Sequence, residues 1–228
     1  SRTVLIVMEP RRPGSSRELL GAGARIARTI GGRVVGVEVG NTDLQSSTDL
    51  YSWGAAEVVR LEGSEVEEDV ARVLASYCEE LSPWCVLAPS TSWGREVASR
   101  AAAALGAGLT GDAVGLEVEA DKLVSWKPAF GGSLVAAIRT KSEIQMATVR
   151  PGVLPRLMPR SKSEPNTKTI VVENRSRLRV VSRRQDDELD ALALANRVVG
   201  IGQGVRPDCY GELEPLLQVL EAELAVTR

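Results

Sequence analysis

The feature that most restricts the fold of this chain is a regular alternation over its first 108 residues. Short continuous apolar runs follow one another, separated by helices that open on capping signals. Thr3–Met8 (TVLIVM), Arg33–Val39, Glu57–Leu61 and Trp84–Ala88 are the apolar runs. They lack the polar residue at every second position that a strand with one wet face carries, so they predict strands covered on both sides. Ser15-Ser16-Arg17-Glu18 reads as a capping box that opens a helix running through Ile30 and ending at Gly31-Gly32. Ser64-Glu65-Val66-Glu67 repeats the box, and Val70, Val73, Leu74, Tyr77, Cys78 and Leu81 follow at helical spacing up to the stop at Pro83. Ser92 is the expected cap of an alanine-rich helix, Gly94–Leu105, closed by Gly106-Ala107-Gly108, and a shorter helix is expected over Asp43–Trp53. Strands alternating with helices in this way predict a parallel sheet with right-handed crossovers.

The rhythm changes after Leu109. Val114–Glu119, Leu123–Lys127, Ser133–Arg139 and Gln145–Arg150 are short β-like segments, with Gly131-Gly132 at a hairpin between two of them. Pro151, Pro155, Pro159 and Pro165 break regular structure, and Thr169–Val172 and Leu178–Ser182 read as two further strands. The arginines of Arg175–Arg184 alternate with apolar residues, as on a solvated strand face. From Asp186 the α/β pattern restarts: a strand at Arg197–Ile201, a turn at Gly202-Gln203-Gly204, a helix over Glu212–Leu224, and an apolar strand beginning at Leu224–Val226. The expected architecture is α/β, a parallel sheet flanked by helices with an appended β-rich part, followed by a truncated second α/β domain. The boundary falls between residues 1–185 and 186–228. The second segment is expected to end inside its fold, too small to bury a core of its own.

Composition removes whole classes of chemistry. The chain has no histidine, which excludes Ser-His-Asp and Cys-His nucleophiles and every histidine-bearing metal site. Cys78, Cys85 and Cys209 form no C-x-x-C pair, and an odd count argues against a disulfide framework. They read as reduced thiols in a cytoplasmic compartment. A formal net charge of −2, with no basic block, gives no nucleic-acid arm. No apolar run approaches the ~20 residues of a membrane span, and the N-terminus carries no signal-peptide pattern.

Two motifs stand where ligands bind in open α/β sheets. Thr91-Ser92-Trp93-Gly94-Arg95-Glu96 lies between a strand end and a helix start, where free amides and the helix dipole attract anions. A plain helix cap with a surface arginine fits the same residues. Gly200-Ile201-Gly202-Gln203-Gly204 follows a strand, but it is G-x-G-x-G without the longer dinucleotide spacing or a following ribose-binding acid. No Walker A loop is present. The pairs Glu67-Glu68 and Asp186-Asp187 sit at helix starts, where the dipole favours them without any acid–base role. Residue chemistry alone reaches a globular α/β domain and the start of another.

Three stretches together resemble the alpha subunit of electron transfer flavoproteins. They are Gly94-Arg95-Glu96-Val97-Ala98-Ser99-Arg100 with Leu105–Thr110, Lys127-Pro128-Ala129-Phe130-Gly131-Gly132-Ser133, and Gln145-Met146-Ala147-Thr148-Val149-Arg150-Pro151-Gly152. The resemblance implies an N-terminal domain that packs against a beta subunit and a C-terminal domain that holds FAD by its phosphates and ribityl chain. It implies an electron carrier without substrate chemistry of its own, taking electrons from acyl-CoA or other dehydrogenases and passing them to an acceptor such as a quinone reductase. At the first turn of the second domain the family has Gly-Gly-Arg-Gly, where this chain has Ile201-Gly202-Gln203-Gly204. Gln203 thus replaces a cation near the cofactor with a neutral amide. The family's Ala-Ser-Arg resembles Val226-Thr227-Arg228, which keeps the hydroxyl and the guanidinium. Gln203, Thr227 and Arg228 are therefore the implied cofactor-binding residues, and this length of chain is expected to hold no flavin by itself. An assembly module of the same fold that binds a partner without flavin is the alternative. A nucleotide-binding hydrolase-like domain has the right sheet but no catalytic residues.

Overall fold

The computed structural model describes residues 2–10, 12–40, 52–155, 166–178, 180–182, 192 and 195–227. The chain divides into two compact units, Ser1–Arg179 and Val180–Arg228.

The first unit is built on a seven-stranded sheet, all of whose pairings are parallel. Its strands are β1 (Thr3–Met8), β2 (Arg33–Val39), β3 (Glu57–Gly63), β4 (Cys85–Pro89), β5 (Gly108–Ala113), β9 (Gln145–Val149) and β10 (Asn166–Val172), in the order β10-β3-β2-β1-β4-β9-β5. Helices α1 (Pro13–Ile30), α2 (Glu67–Leu81) and α3 (Ser92–Leu105) cover it. The period-two geometry of a strand splits β1 between two cores. Val4, Ile6 and Met8 pack with Leu19, Leu20 and Ile26 of α1. Leu5 and Val7 pack with Val70 and Leu74 of α2 and Val97 and Ala101 of α3. Helices therefore lie on both faces, which is why β1 and β4 read as unbroken apolar runs.

A separate antiparallel sheet, β6 (Gly115–Glu119), β7 (Lys122–Ala129) and β8 (Leu134–Ile138), is the appended part. The β7–β8 hairpin turns through Phe130–Gly132, as the two glycines predict. Leu123 of β7 is buried in the α1-side core, with Leu116 and Val118 of β6 packed against it.

Several local expectations are corrected. β9 and β10 join the main sheet and are not part of the appended one, and β5 was missed because its GLTGDA sequence is too polar to read as a buried strand. Helix α1 starts at Pro13, whose fixed φ suits a first helical position, and its N-cap Arg12 makes no side-chain cap. The Ser15 and Ser16 hydroxyls donate to the Arg12 carbonyl at 3.1 and 3.2 Å. Glu18, the other half of the expected box, is buried and accepts the amides of Gly152 (2.8 Å) and Leu154 (2.5 Å). In α3 the cap is Thr91 and not Ser92. Leu178–Ser182 forms no strand among its described residues, although Arg175 and Arg177 are solvated as expected. The expected helix over Asp43–Trp53 lies outside the described residues except at its end, and Asp186-Asp187 lies wholly outside them.

The second unit is a single βαβ turn: β11 (Val198–Ile201), a 3-10 segment (Pro207–Leu213), α4 (Glu214–Leu220) and β12 (Glu223–Val226). The expected helix over Glu212–Leu224 is shortened, because Glu221 adopts a left-handed φ of 48° that ends α4 and Glu223 already belongs to β12. β11 and β12 pair in parallel. No described residue of this unit is buried. Leu216, Val219 and Val226 stand exposed.

Candidate functional site

In the second unit the parallel pair brings two predicted residues to one end. Beyond β12, the Thr227 amide donates to the Ile201 carbonyl at 3.0 Å, and its hydroxyl reaches the same oxygen at 3.4 Å. The Gly202-Gln203-Gly204 turn leaves β11 at this point, closed by a Val205 N–H to Gly202 carbonyl bond of 3.2 Å. Thr227 and the Gln203 turn thus meet at the carboxyl ends of adjacent parallel strands, the edge at which α/β sheets hold ligands. Among the described residues, a side chain at Gly200 or Gly204 would meet nothing within 4 Å, and one at Gly202 would meet only the Thr227 hydroxyl. These glycines are not required by packing, so they leave the strand ends open to close approach. Gln203 and Thr227 are exposed, and Arg228 lies outside the described residues. The guanidinium of Arg197 donates to the Leu220 carbonyl at 2.9 Å, capping the negative end of α4. An open groove of about 780 Å³ runs along α4 and β12, lined by Leu192, Tyr210, Leu217, Ala222 and Leu224.

In the first unit the carboxyl ends of β4, β5 and β9 carry a polar hub that sequence reasoning missed. Asp112 adopts a left-handed φ of 60°, at a register shift between Thr110 and Ala113. Its amide donates to the Thr148 hydroxyl at 2.9 Å, and its carboxylate takes the Arg150 guanidinium in a two-pronged pair. That pair, with the Ser90 hydroxyl, holds the Asp112 carboxyl below its ordinary range despite partial burial. The hub ties the Thr148-Val149-Arg150 stretch, quoted above for its resemblance, to the end of β5.

Phe130 is 83% exposed at the tip of the β7–β8 hairpin and holds a φ of 50°, a conformation that costs a bulky residue steric strain. Leu134 and Val135 of the neighbouring edge strand are exposed beside it in sequence. By contrast, Cys78 and Cys85 are buried, and burial pushes the Cys78 thiol up to about 12 and raises Cys85 as well, so neither is a nucleophile. Among the described residues no group of His, Cys, Asp and Glu side chains could hold a metal ion, and no helix is long and apolar enough to cross a membrane.

The family profile described as Electron transfer flavoprotein domain matches residues 12–178. The chain belongs to the electron transfer flavoprotein family. It is 30% identical over 228 residues to the electron transfer flavoprotein subunit alpha of Clostridium acetobutylicum, a match covering 93% of this chain and 68% of that protein. It is 32% identical over 230 residues to Protein FixB of Azorhizobium caulinodans, covering 93% of this chain and 62% of that one. Subunit LctC of the lactate dehydrogenase (NAD(+),ferredoxin) of Acetobacterium woodii is 30% identical over 225 residues, covering 92% of this chain and 53% of that one. The chain is therefore an electron transfer flavoprotein alpha-like protein, and its role is that of an electron-transfer subunit. Its seven-stranded sheet and appended antiparallel sheet together form the α/β unit that the resemblance implies.

Proposed function

We propose that this chain works as the alpha subunit of a two-subunit flavin carrier. Its first unit docks a beta subunit and its second unit begins the FAD cradle. The observation that carries the flavin half of this reading is the convergence of Thr227 with the Gly202-Gln203-Gly204 turn at the carboxyl ends of β11 and β12. When bound, FAD supplies the electron-accepting chemistry, and the protein supplies binding, orientation and electrostatics. Thr227 offers a hydroxyl donor, and the open glycines of the turn let backbone amides come close to a phosphate or ribityl oxygen. Gln203 offers amide donors without charge, so this turn holds an anion less strongly than an arginine would. Arg228 supplies the fixed cation of the set. The family relationship supports dehydrogenases as donors and a quinone reductase or other acceptor as the outlet.

Docking of the beta subunit is supported by the exposed Phe130, Leu134 and Val135 and by the edge of β8, which pairs with no further strand among the described residues. An apolar edge strand left open is a template for another chain. The same surface favours the second reading, a partner-binding module without flavin. Co-expression with a beta subunit from the same family, followed by size-exclusion chromatography and a flavin absorbance spectrum, separates the two. A heterodimer carrying flavin in a full-length alpha chain supports the first reading. A heterodimer that stays colourless with added FAD supports the second.

A further inference from the structure

The chain passes from the first unit to the second between Arg179 and Val180. Just before that crossing, residues 173–178 belong to no helix or strand. Their main chain is nevertheless fastened to one corner of the first unit, the turn from β3 into α2. The Val172 carbonyl, at the end of β10, accepts the Ser64 amide at 3.0 Å. The Glu173 carbonyl accepts the Arg72 guanidinium at 2.9 Å. The amides of Arg175 and Ser176 both donate to Oδ1 of Asp69, at 3.0 and 2.9 Å. Gly63 lets the two strand ends come this close, since a side chain there would overlap the Val172 carbonyl oxygen.

Asp69 is 1% exposed, and the start of α2 does not by itself account for so buried a charge. Its Oδ2 serves the local turn: it takes the Ser64 hydroxyl at 2.9 Å, and that hydroxyl accepts the Val66 amide at 3.2 Å. Its Oδ1 takes Arg72 at 3.2 Å and the two amides that lie 106 and 107 residues farther along the chain. Water could satisfy amides in an exposed segment, whereas a buried carboxylate needs several donors to offset its lost hydration. Here the departing main chain supplies those donors, and hydrogen bonds to an ionised acceptor are the strong kind. The hold stops there. Among the described residues, the amides of Arg177, Leu178, Val180 and Val181 meet no acceptor, and all four residues are exposed.

We infer that Asp69 is a positioning residue for the second unit: its clasp fastens the chain to the first unit as far as Ser176 and so sets the point from which the second unit is carried. The connection that limits the reach of the second unit then begins at Arg177. Without the clasp it would begin at the end of β10, at Val172. An extended chain spans at most about 3.3–3.6 Å per residue, so freeing residues 173–176 adds up to roughly 13 Å of reach. For an electron-transfer subunit, that added reach enlarges the volume in which the second unit presents itself to a redox partner.

The experiment compares wild type with Asp69→Ala and Arg72→Ala in the full chain. Arg72→Ala removes a half-exposed guanidinium from the clasp and keeps the test open if Asp69→Ala does not fold. Two quantities are read: hydrogen exchange of the Arg175 amide, and the distribution of distances between spin labels on the two units. One label goes on Cys209, the other on Ser99→Cys at an exposed position of α3, while Cys78 and Cys85 are buried away from the reagent. Neither measurement needs a bound flavin, so a chain that failed to bind FAD would still report on the clasp. The expected result is exchange at least about tenfold faster in Asp69→Ala and about threefold faster in Arg72→Ala, with the distance distribution broadening in the same order. Faster exchange with an unchanged distribution would make the clasp a local fastening and overturn its positioning role. An Arg175 amide that exchanges as slowly in the folded variants as in the wild type would overturn it as well.

Discussion

The side-chain carbonyl of Gln145 accepts the backbone N–H of Leu123 at 2.7 Å, a buried bond that joins the parallel sheet to the antiparallel one. The side-chain amide N–H of Gln145 donates to the Trp84 carbonyl at 3.3 Å, so one side chain on β9 serves β7 and the residue that leads into β4. Replacing Gln145 by Leu keeps the bulk but strands the buried Leu123 N–H, while the Trp84 carbonyl keeps the Gln145 backbone N–H at 3.4 Å. The expected loss is about 1–3 kcal/mol of folding stability. Urea denaturation checks it, with a lower midpoint and an unchanged slope.

Asp69 accepts the amides of Arg175 and Ser176 at 3.0 and 2.9 Å and the Ser64 hydroxyl at 2.9 Å, with Arg72 beside it at 3.2 Å. Burial alone would raise its carboxyl, but the Arg175 amide and these other donors outweigh it and hold it down at about 2, below its ordinary 3.8. A depressed carboxylate stabilises the fold above its unfolded-state value and loses that contribution as pH falls through the folded one. Asp69→Asn is therefore expected to be less stable than wild type at pH 6, by about 1–2 kcal/mol after discounting for screening. The gap should close as the pH falls from about 4 towards 2. Chemical denaturation at a series of pH values measures the gap directly. A constant difference across that range would disprove the assignment.

Phe130 adds little to the core of this chain, being 83% exposed, yet it holds a strained backbone. Phe130→Gly is expected to leave the melting temperature unchanged or slightly higher, since glycine adopts positive φ without strain. Association with the beta subunit should weaken by about 2 kcal/mol or more if the ring is an anchor. Calorimetry of the heterodimer gives both numbers from one pair of proteins.

Arg228→Ala, in a full-length alpha chain assembled with its partner and FAD, should make the flavin midpoint potential more negative by tens of millivolts. A fixed positive charge favours the anionic reduced form, and a unit charge ~4 Å away is worth at most about 4 kcal/mol at an effective dielectric of ~20. Potentiometric titration decides it. An unchanged potential with FAD retained would reduce Arg228 to a structural role.

The apolar runs of β1 to β4 were legible by length and punctuation, since they span five to seven residues, too few for a helix of this domain, and alternate with capped helices. β9 and β10 were found as strands, but their place in the sheet was not, since parallel partners lie far apart in the chain and leave no local signature. The capping signals misled for a related reason. Ser15, Ser16 and Glu18 have the spacing of a box, but Glu18 is taken by the amides of Gly152 and Leu154, a tertiary use that no window of sequence reveals. At the candidate site, Gln203 and Thr227 were named from resemblance, and only the parallel pairing of β11 with β12 shows them converging. The hub of Asp112, Thr148 and Arg150 was invisible because its keystone is a backbone conformation, not a residue type.

The position of β9 has a consequence for the order of events during synthesis. Among the described residues β5 pairs with the main sheet only through β9, which follows it in the chain and separates it from β4. A nascent chain that has reached the end of β5 can therefore assemble β1 to β4 but must leave β5 waiting. The antiparallel hairpins, whose partners are close in sequence, can form in the interval. Only when Gln145–Val149 emerges can it slide between β4 and β5 and seal the edge. Such late, non-local insertion slows folding and leaves a bare strand edge in the meantime. A ribosome pause just before residue 145 would lengthen the period in which this chain is open to misassembly.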